Sequence, residues 1–119
     1  RGAFPSLFWD SLISSSSALD GNEGRSAYSS SKAALISHAK VLSRELGIHN
    51  IRVNSIAPGL TNTDMMKNNH QEKIINDMVS RISLRRIANP EEIANVVLLL
   101  SSDLTSYITG QVIRVDGGM

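Results

Sequence analysis

Apolar residues recur along this chain with two alternating periods. Over 27–46, Leu35, Ala39, Leu42 and Leu46 return at spacings of four and three, the stripe of an amphipathic helix, and Gly47 supplies the stop. Ala34 and Val41 widen that stripe. The stretch "NIRVNSIAPG", 50–59, then changes the period: it is short, rich in β-branched residues and closed by Pro58-Gly59, which predicts a buried strand. A second strand is expected at 7–13 and a third in "GQVIRVDGG", after a turn at Thr109-Gly110. A short helix is expected around Ile74 to Ile82. A longer one opens at Asn89-Pro90-Glu91-Glu92, with a capping residue, a first-turn proline and acids at the positive end of the dipole, and runs to about Leu100. Strand, helix, strand, helix, strand at these lengths predicts right-handed crossovers and a parallel sheet with helices against it.

Composition narrows the function classes. The 119 residues, 41% of them hydrophobic, suffice for one modest domain at most. Twelve basic and eleven acidic residues leave a formal net charge of +1, so no electrostatic footprint for nucleic acid or an anionic membrane is expected. The absence of cysteine excludes a disulfide framework and a thiolate metal site, and no metal is expected. The longest apolar run, "VVLLL" at 96–100, is too short to span a bilayer, and the first residues lack a signal-peptide layout. A soluble, cytoplasmic protein is the expectation.

Parallel sheets of this kind place their chemistry beyond the carboxyl ends of their strands. Those ends are Ser14 to Ser17, Pro58 to Asp64 and Asp116 to Gly118. The serine run leads through "ALDGNEGRSA" into the helix whose first turns carry Tyr28 and Lys32, four residues apart and on one face. An isolated Y-x-x-x-K is more often a solvated surface pair than a site. Here, however, the topology would bring a hydroxyl, a phenol and an ammonium to one crevice. A free phenol, with a pKa of ~10, exchanges protons poorly at neutral pH until a neighbouring cation stabilises its anion. The combination suits protonation of an alkoxide as it forms from a carbonyl, or the reverse step.

From residue 11 onward the chain resembles the short-chain dehydrogenase/reductases, particularly the branch of the 3-oxoacyl-carrier-protein reductases. "SLISSSS" is similar to the family's strand ending in its active-site serine, "AYSSSKAAL" to its Y-x-x-x-K helix, and "IRVNSIAPGLTNTDM" to its next strand and P-G-x-x-x-T cofactor loop. "NPEEIANVVLLLSSDLTSYITGQVIRVDGGM" resembles its last helix, last strand and V-D-G-G ending. Several motifs in the right order are far more specific than the dyad alone. The resemblance implies the carboxyl-terminal half of a Rossmann-type doubly wound parallel α/β sheet with flanking helices. Residues 1–119 would then be a partial NAD(P)-binding domain.

It further implies hydride transfer between NAD or NADP and a small-molecule carbonyl or alcohol substrate. Tyr28 would be the general acid in reduction and the base in oxidation. Lys32 would support it and hold the nicotinamide ribose. The family's serine usually stands thirteen residues before the tyrosine, which selects Ser15 from the run of four to bind the substrate oxygen. In the loop Pro58, Gly59, Leu60, Thr61, Thr63, backbone groups of Leu60 and the hydroxyl of Thr63 would meet the carboxamide. Residues 64–82 would form a lid on the substrate side. An acyl-carrier protein is a candidate partner through His49 and Arg44. A homo-oligomer, a tetramer in the complete protein, would cover the surplus apolar face of the tyrosine helix.

The chain also departs from the family. It has no glycine-rich turn after a first strand, no residue that selects between the two nicotinamide cofactors, no N-N-A-G segment and no counterpart of the family's usual site asparagine. If "RGAF" matches the segment after that asparagine, about a dozen residues before Ser15 are missing or the N-terminal stretch is altered. The carboxyl-terminal half of an oxidoreductase, inactive by itself, is therefore the favoured reading. The alternatives are a catalytically inactive truncated relative that serves as a binding or assembly module, and an unrelated small α/β binding domain.

Overall fold

The computed structural model describes residues 8–13, 24, 26–63 and 71–119. Strands β1 (Phe8–Ile13), β2 (Ile51–Pro58) and β3 (Val112–Val115) form one parallel sheet with β2 in the middle. Helix α1 (Ser26–Leu46) joins β1 to β2, while α2 (Glu72–Ser80) and α3 (Pro90–Ser101) lie between β2 and β3. The expected order of elements is the order found.

β2 explains why the sheet is parallel and covered. All six residues 52–57 are buried, as a central strand flanked by crossover helices requires. Its first six residues pair with β1, from Phe8↔Ile51 to Ile13↔Ile56, and its last four with β3, from Ser55↔Val112 to Pro58↔Val115. Arg52 and Asn54 reach towards the end of α3 and the segment after it, where their side chains donate to the carbonyls of Leu100 and Ile108. The alternate residues Val53, Ser55 and Ala57 face the other way, where α1 packs. Ala39, Val53, Ile56, Ala57, Ile82 and Leu100 form the buried apolar core.

Two details differ from the sequence reading. The stripe on α1 is narrower than its apolar pattern: Ala39 is buried together with Ser43, Leu35, Leu42 and Leu46 are half-buried, and Val41 is 49% exposed. Ser43 is buried because it packs on the turn into β3. A Cβ on Gly110, which has φ +69°, would lie 2.6 Å from Ser43 Oγ, and Lys40 Nζ donates to the Gly110 carbonyl at 3.1 Å. The short helix, expected to extend to Ile82, ends at Ser80. Ile82 lies beyond it as a core residue, and Arg85 follows in the left-handed region with φ 56°.

Candidate active site

Since the three strands run parallel, their carboxyl ends share one edge of the sheet, and the crossover helix α1 must begin at that edge. Tyr28 lies in its first turn, 44% exposed. Lys32 follows one turn later, half-buried, with Nζ 5.8 Å from the centre of the Tyr28 ring, within reach of a cation–π contact. Ser31 Oγ donates to the Tyr28 carbonyl at 2.8 Å and so ties the first turn to the second. A shallow hollow lined by Gly24, Ser26, Ala27 and Tyr28 opens beside the ring. Ser15, two residues after β1, lies outside the described residues, as does Asp64.

The proline-glycine loop is braced from two sides. Pro58 is the last paired residue of β2, opposite Val115, and Gly59 N–H donates to the Val115 carbonyl at 2.9 Å. Gly59 is required by packing and not by its dihedrals: an added Cβ would stand 2.7 Å from Asp116 Cβ and 2.9 Å from its Cα. Beyond it, Leu60 accepts from Ala88 N–H at 3.1 Å, Asn62 N–H donates to the Ala88 carbonyl at 2.8 Å, and Thr61 pairs with Ala88 in a parallel bridge. Thr61 Oγ1 donates to the Gly59 carbonyl at 3.3 Å, and Thr63 is exposed. The loop is thus a fixed ledge at the sheet edge.

Two carboxylates hold that surround in place. Burial pulls Asp116 upward, but hydrogen bonds from Arg114 Nε at 2.8 Å and from Gly118 N–H at 3.0 Å outweigh it, so the carboxyl lies below its ordinary value. Glu92 receives both terminal nitrogens of Arg86, at 2.6 and 2.8 Å, and Asn89 N–H at 2.9 Å, and its pKa falls to about 2. With Asn89 it forms the capping box that starts α3. The capped start at Asn89 is the one expected from the sequence, whereas the pairing of Glu92 with Arg86 and of Asp116 with Arg114 comes from the structure. For Arg52 and Asn54 the legible sign is two polar residues at alternate positions of a buried strand.

A phenol and an ammonium stand on one helix face at the carboxyl edge of the sheet, and on the same edge the backbone at Gly59 is kept free of side-chain bulk. Among the described residues no group of histidines and carboxylates could hold a metal ion, and no helix is long and apolar enough to cross a membrane.

Comparison with known proteins agrees with this geometry. A family model described as Enoyl-(Acyl carrier protein) reductase matches residues 11–119. The chain is 49% identical over 107 residues to a 3-oxoacyl-[acyl-carrier-protein] reductase of Chlamydia trachomatis, covering 90% of this chain and 43% of that protein. Among solved structures, 7α-hydroxysteroid dehydrogenase complexed with NADH and 7-oxo glycochenodeoxycholic acid superposes with a TM-score of 0.89 at 37% identity, over 92% of this chain and 43% of that one. A short-chain dehydrogenase/reductase from Brucella melitensis superposes with a TM-score of 0.86 at 32% identity, over 92% and 44%. The chain spans less than half the length of these relatives. On this match of family, relatives and fold, the chain belongs to the short-chain dehydrogenase/reductases.

Proposed function

We propose that the complete protein is an NAD(P)-dependent oxidoreductase that interconverts a carbonyl and an alcohol, with Tyr28 as the proton-transfer group. The observation that carries this reading is the pair formed by Tyr28 and Lys32 at the sheet edge where the braced Gly59-Leu60 ledge ends β2. A bound nicotinamide supplies the hydride and takes it back in the reverse direction. The residues of this chain supply the rest. As the carbonyl oxygen gains charge, the Tyr28 hydroxyl gives it a proton, and in oxidation the phenolate recovers it. Lys32 stabilises the phenolate and donates to ribose hydroxyls. Ser15 holds the substrate oxygen beside the phenol.

Pro58, Gly59, Leu60, Thr61 and Thr63 form the cofactor ledge. With the Leu60 carbonyl already accepting from Ala88, the Leu60 N–H and the Thr63 hydroxyl are the groups assigned to the carboxamide. The family description names an enoyl bond, whereas the relatives carry 3-oxoacyl and hydroxysteroid names. A phenol that delivers a proton to oxygen favours the carbonyl reading. A 3-oxoacyl thioester is the first substrate class to try, with the acyl-carrier protein as its carrier and Arg44 and His49, both exposed, as the docking residues. We place the protein in the cytoplasm, as a tetramer that covers the exposed Val41 flank of α1. The test is consumption of NADH or NADPH by the complete protein with a panel of 3-oxoacyl thioesters, hydroxysteroid ketones and small ketones. Substrate-dependent consumption is expected; cofactor binding without turnover of any carbonyl would overturn the reading in favour of an inactive relative.

A further inference from the structure

The segment after β3 does more than end the sheet. Asp116 packs its Cα and Cβ against the cofactor ledge at Gly59, and its carboxylate accepts from Gly118 N–H and from Arg114, which fixes the conformation of Gly117 and Gly118. Both glycines have positive φ, +67° and +84°, and both are in close contact with the chain that follows α2. A Cβ on Gly117 would meet Ile82 Cγ2 at 2.8 Å, and one on Gly118 would meet Ser83 Oγ at 2.7 Å and Ser83 Cβ at 2.8 Å. Two hydrogen bonds complete the junction: Leu84 N–H donates to the Gly117 carbonyl at 3.1 Å, and Ser83 Oγ to the Gly118 carbonyl at 2.7 Å.

The other side of the junction is equally tied. Arg81 N–H and Ile82 N–H close the last turn of α2 on Met78 and Val79. Arg85, held at φ 56°, turns its guanidinium back onto the carbonyls of Ser80 and Ile82. Ile82 itself is only 1% exposed. Helix α2 is largely exposed and has no buried residue, and among the described residues this joint is its main attachment. A strained residue and two positive-φ glycines at one junction are what a position fixed by its surroundings looks like.

We infer that Asp116, Gly117 and Gly118 form a latch that ties residues 82–84, and with them α2, to the cofactor ledge at Gly59, so that they act as positioning residues for the substrate-side wall. That the wall receives substrate rests on the function proposed above; the latch does not. In the complete protein, Gly118→Ala places a methyl group against Ser83, and Asp116→Asn removes the charge that folds the turn. In both variants amide hydrogen exchange over 72–84 should accelerate by about tenfold or more, with exchange over 34–46 and 51–57 unchanged. Ser83→Ala, at an exposed position and with a single bond lost, should show the same pattern in smaller measure and decides the matter if Gly118→Ala fails to fold. The KM for the carbonyl substrate should rise by roughly fivefold while kcat stays within about twofold, the split expected when binding and not proton transfer is disturbed.

Unchanged exchange over 72–84 in the folded variants, or acceleration spread evenly over the chain, would overturn the latch. Faster exchange with an unmoved KM would overturn its role in positioning the wall. A protein with no carbonyl turnover at all would sink the proposed function and leave the exchange result to judge the latch alone.

Discussion

Arg52 Nη2 donates to the carbonyl oxygen of Leu100 at 2.8 Å, from inside the central strand to the last turn of α3. The same guanidinium donates to the carbonyls of Ser102 at 3.1 Å and Ile108 at 3.2 Å and to Thr105 Oγ1 at 3.4 Å. A helix leaves its last carbonyls without intrahelical donors, and its carboxyl end favours a cation. Arg52, 4% exposed, answers both needs at once. Lysine keeps the charge but lacks the planar fork. Arg52→Lys should therefore destabilise the complete protein by about 2 kcal/mol or more in urea denaturation. A change within experimental error would show that the fork is dispensable.

Gly59→Ala tests the ledge. The new methyl group would press on Asp116 backbone and side chain together, with no flexible tip to give way, so a loss of about 1–3 kcal/mol is expected. Gly47→Ala serves as the control, because a Cβ there meets nothing within 4 Å and should change stability by well under 1 kcal/mol. Thermal denaturation of both variants gives the comparison, and cofactor titration of Gly59→Ala should show weakened binding in step.

Tyr28→Phe keeps the ring under Lys32 and removes the hydroxyl. In the complete protein turnover should fall by about 100-fold or more while cofactor affinity stays within a few-fold. Steady-state rates and a binding titration measured on the same preparation give the answer; retention of more than about a tenth of the rate would count against the acid–base role.

Glu92 makes the start of α3 sensitive to acid. Its carboxyl, held by Arg86 and by Asn89 N–H, falls from an ordinary 4.5 to about 2 in the folded protein. A depressed value means that the bonds stabilise the fold fully above 4.5 and are lost as pH falls from there towards 2. The pair is on the surface, so salt should weaken the effect. The stability difference between the wild type and Glu92→Gln should be flat above pH 5 and shrink steadily below it. A difference that grows on acidification would reverse the assignment.

Ser55 lies at the centre of the sheet, fully buried, and among the described residues its Oγ has no hydrogen-bond partner. Removing a buried hydroxyl that makes no bond relieves a desolvation cost. Ser55→Ala should leave the protein as stable or up to about 1 kcal/mol more so. A clear loss in chemical denaturation would mean that the hydroxyl has a partner in the complete protein.

What the sequence determined by itself was local. The helix over 27–46 is found at Ser26–Leu46, the strand at 50–59 is found at Ile51–Pro58, and the capped start at Asn89-Pro90 opens α3, because periodicity and caps depend on residues within a few positions of one another. The pairing of Tyr28 with Lys32 was legible for the same reason, being one helical turn. Their proposed role as a site rests on the order of several motifs, and Ser15, selected by spacing alone, lies outside the described residues. What tertiary structure decided joins residues far apart in the chain: Arg52 with Leu100, Gly59 with Asp116, Ser83 with Gly118. Such pairs leave no periodic trace, since each side chain is chosen by a surface that exists only once the sheet has formed. Helix α2 shows the limit of the local code: the sequence pattern extends the helix to the apolar Ile82, but this residue serves the core beyond the helix end, where the segment after β3 and not helical period sets its place.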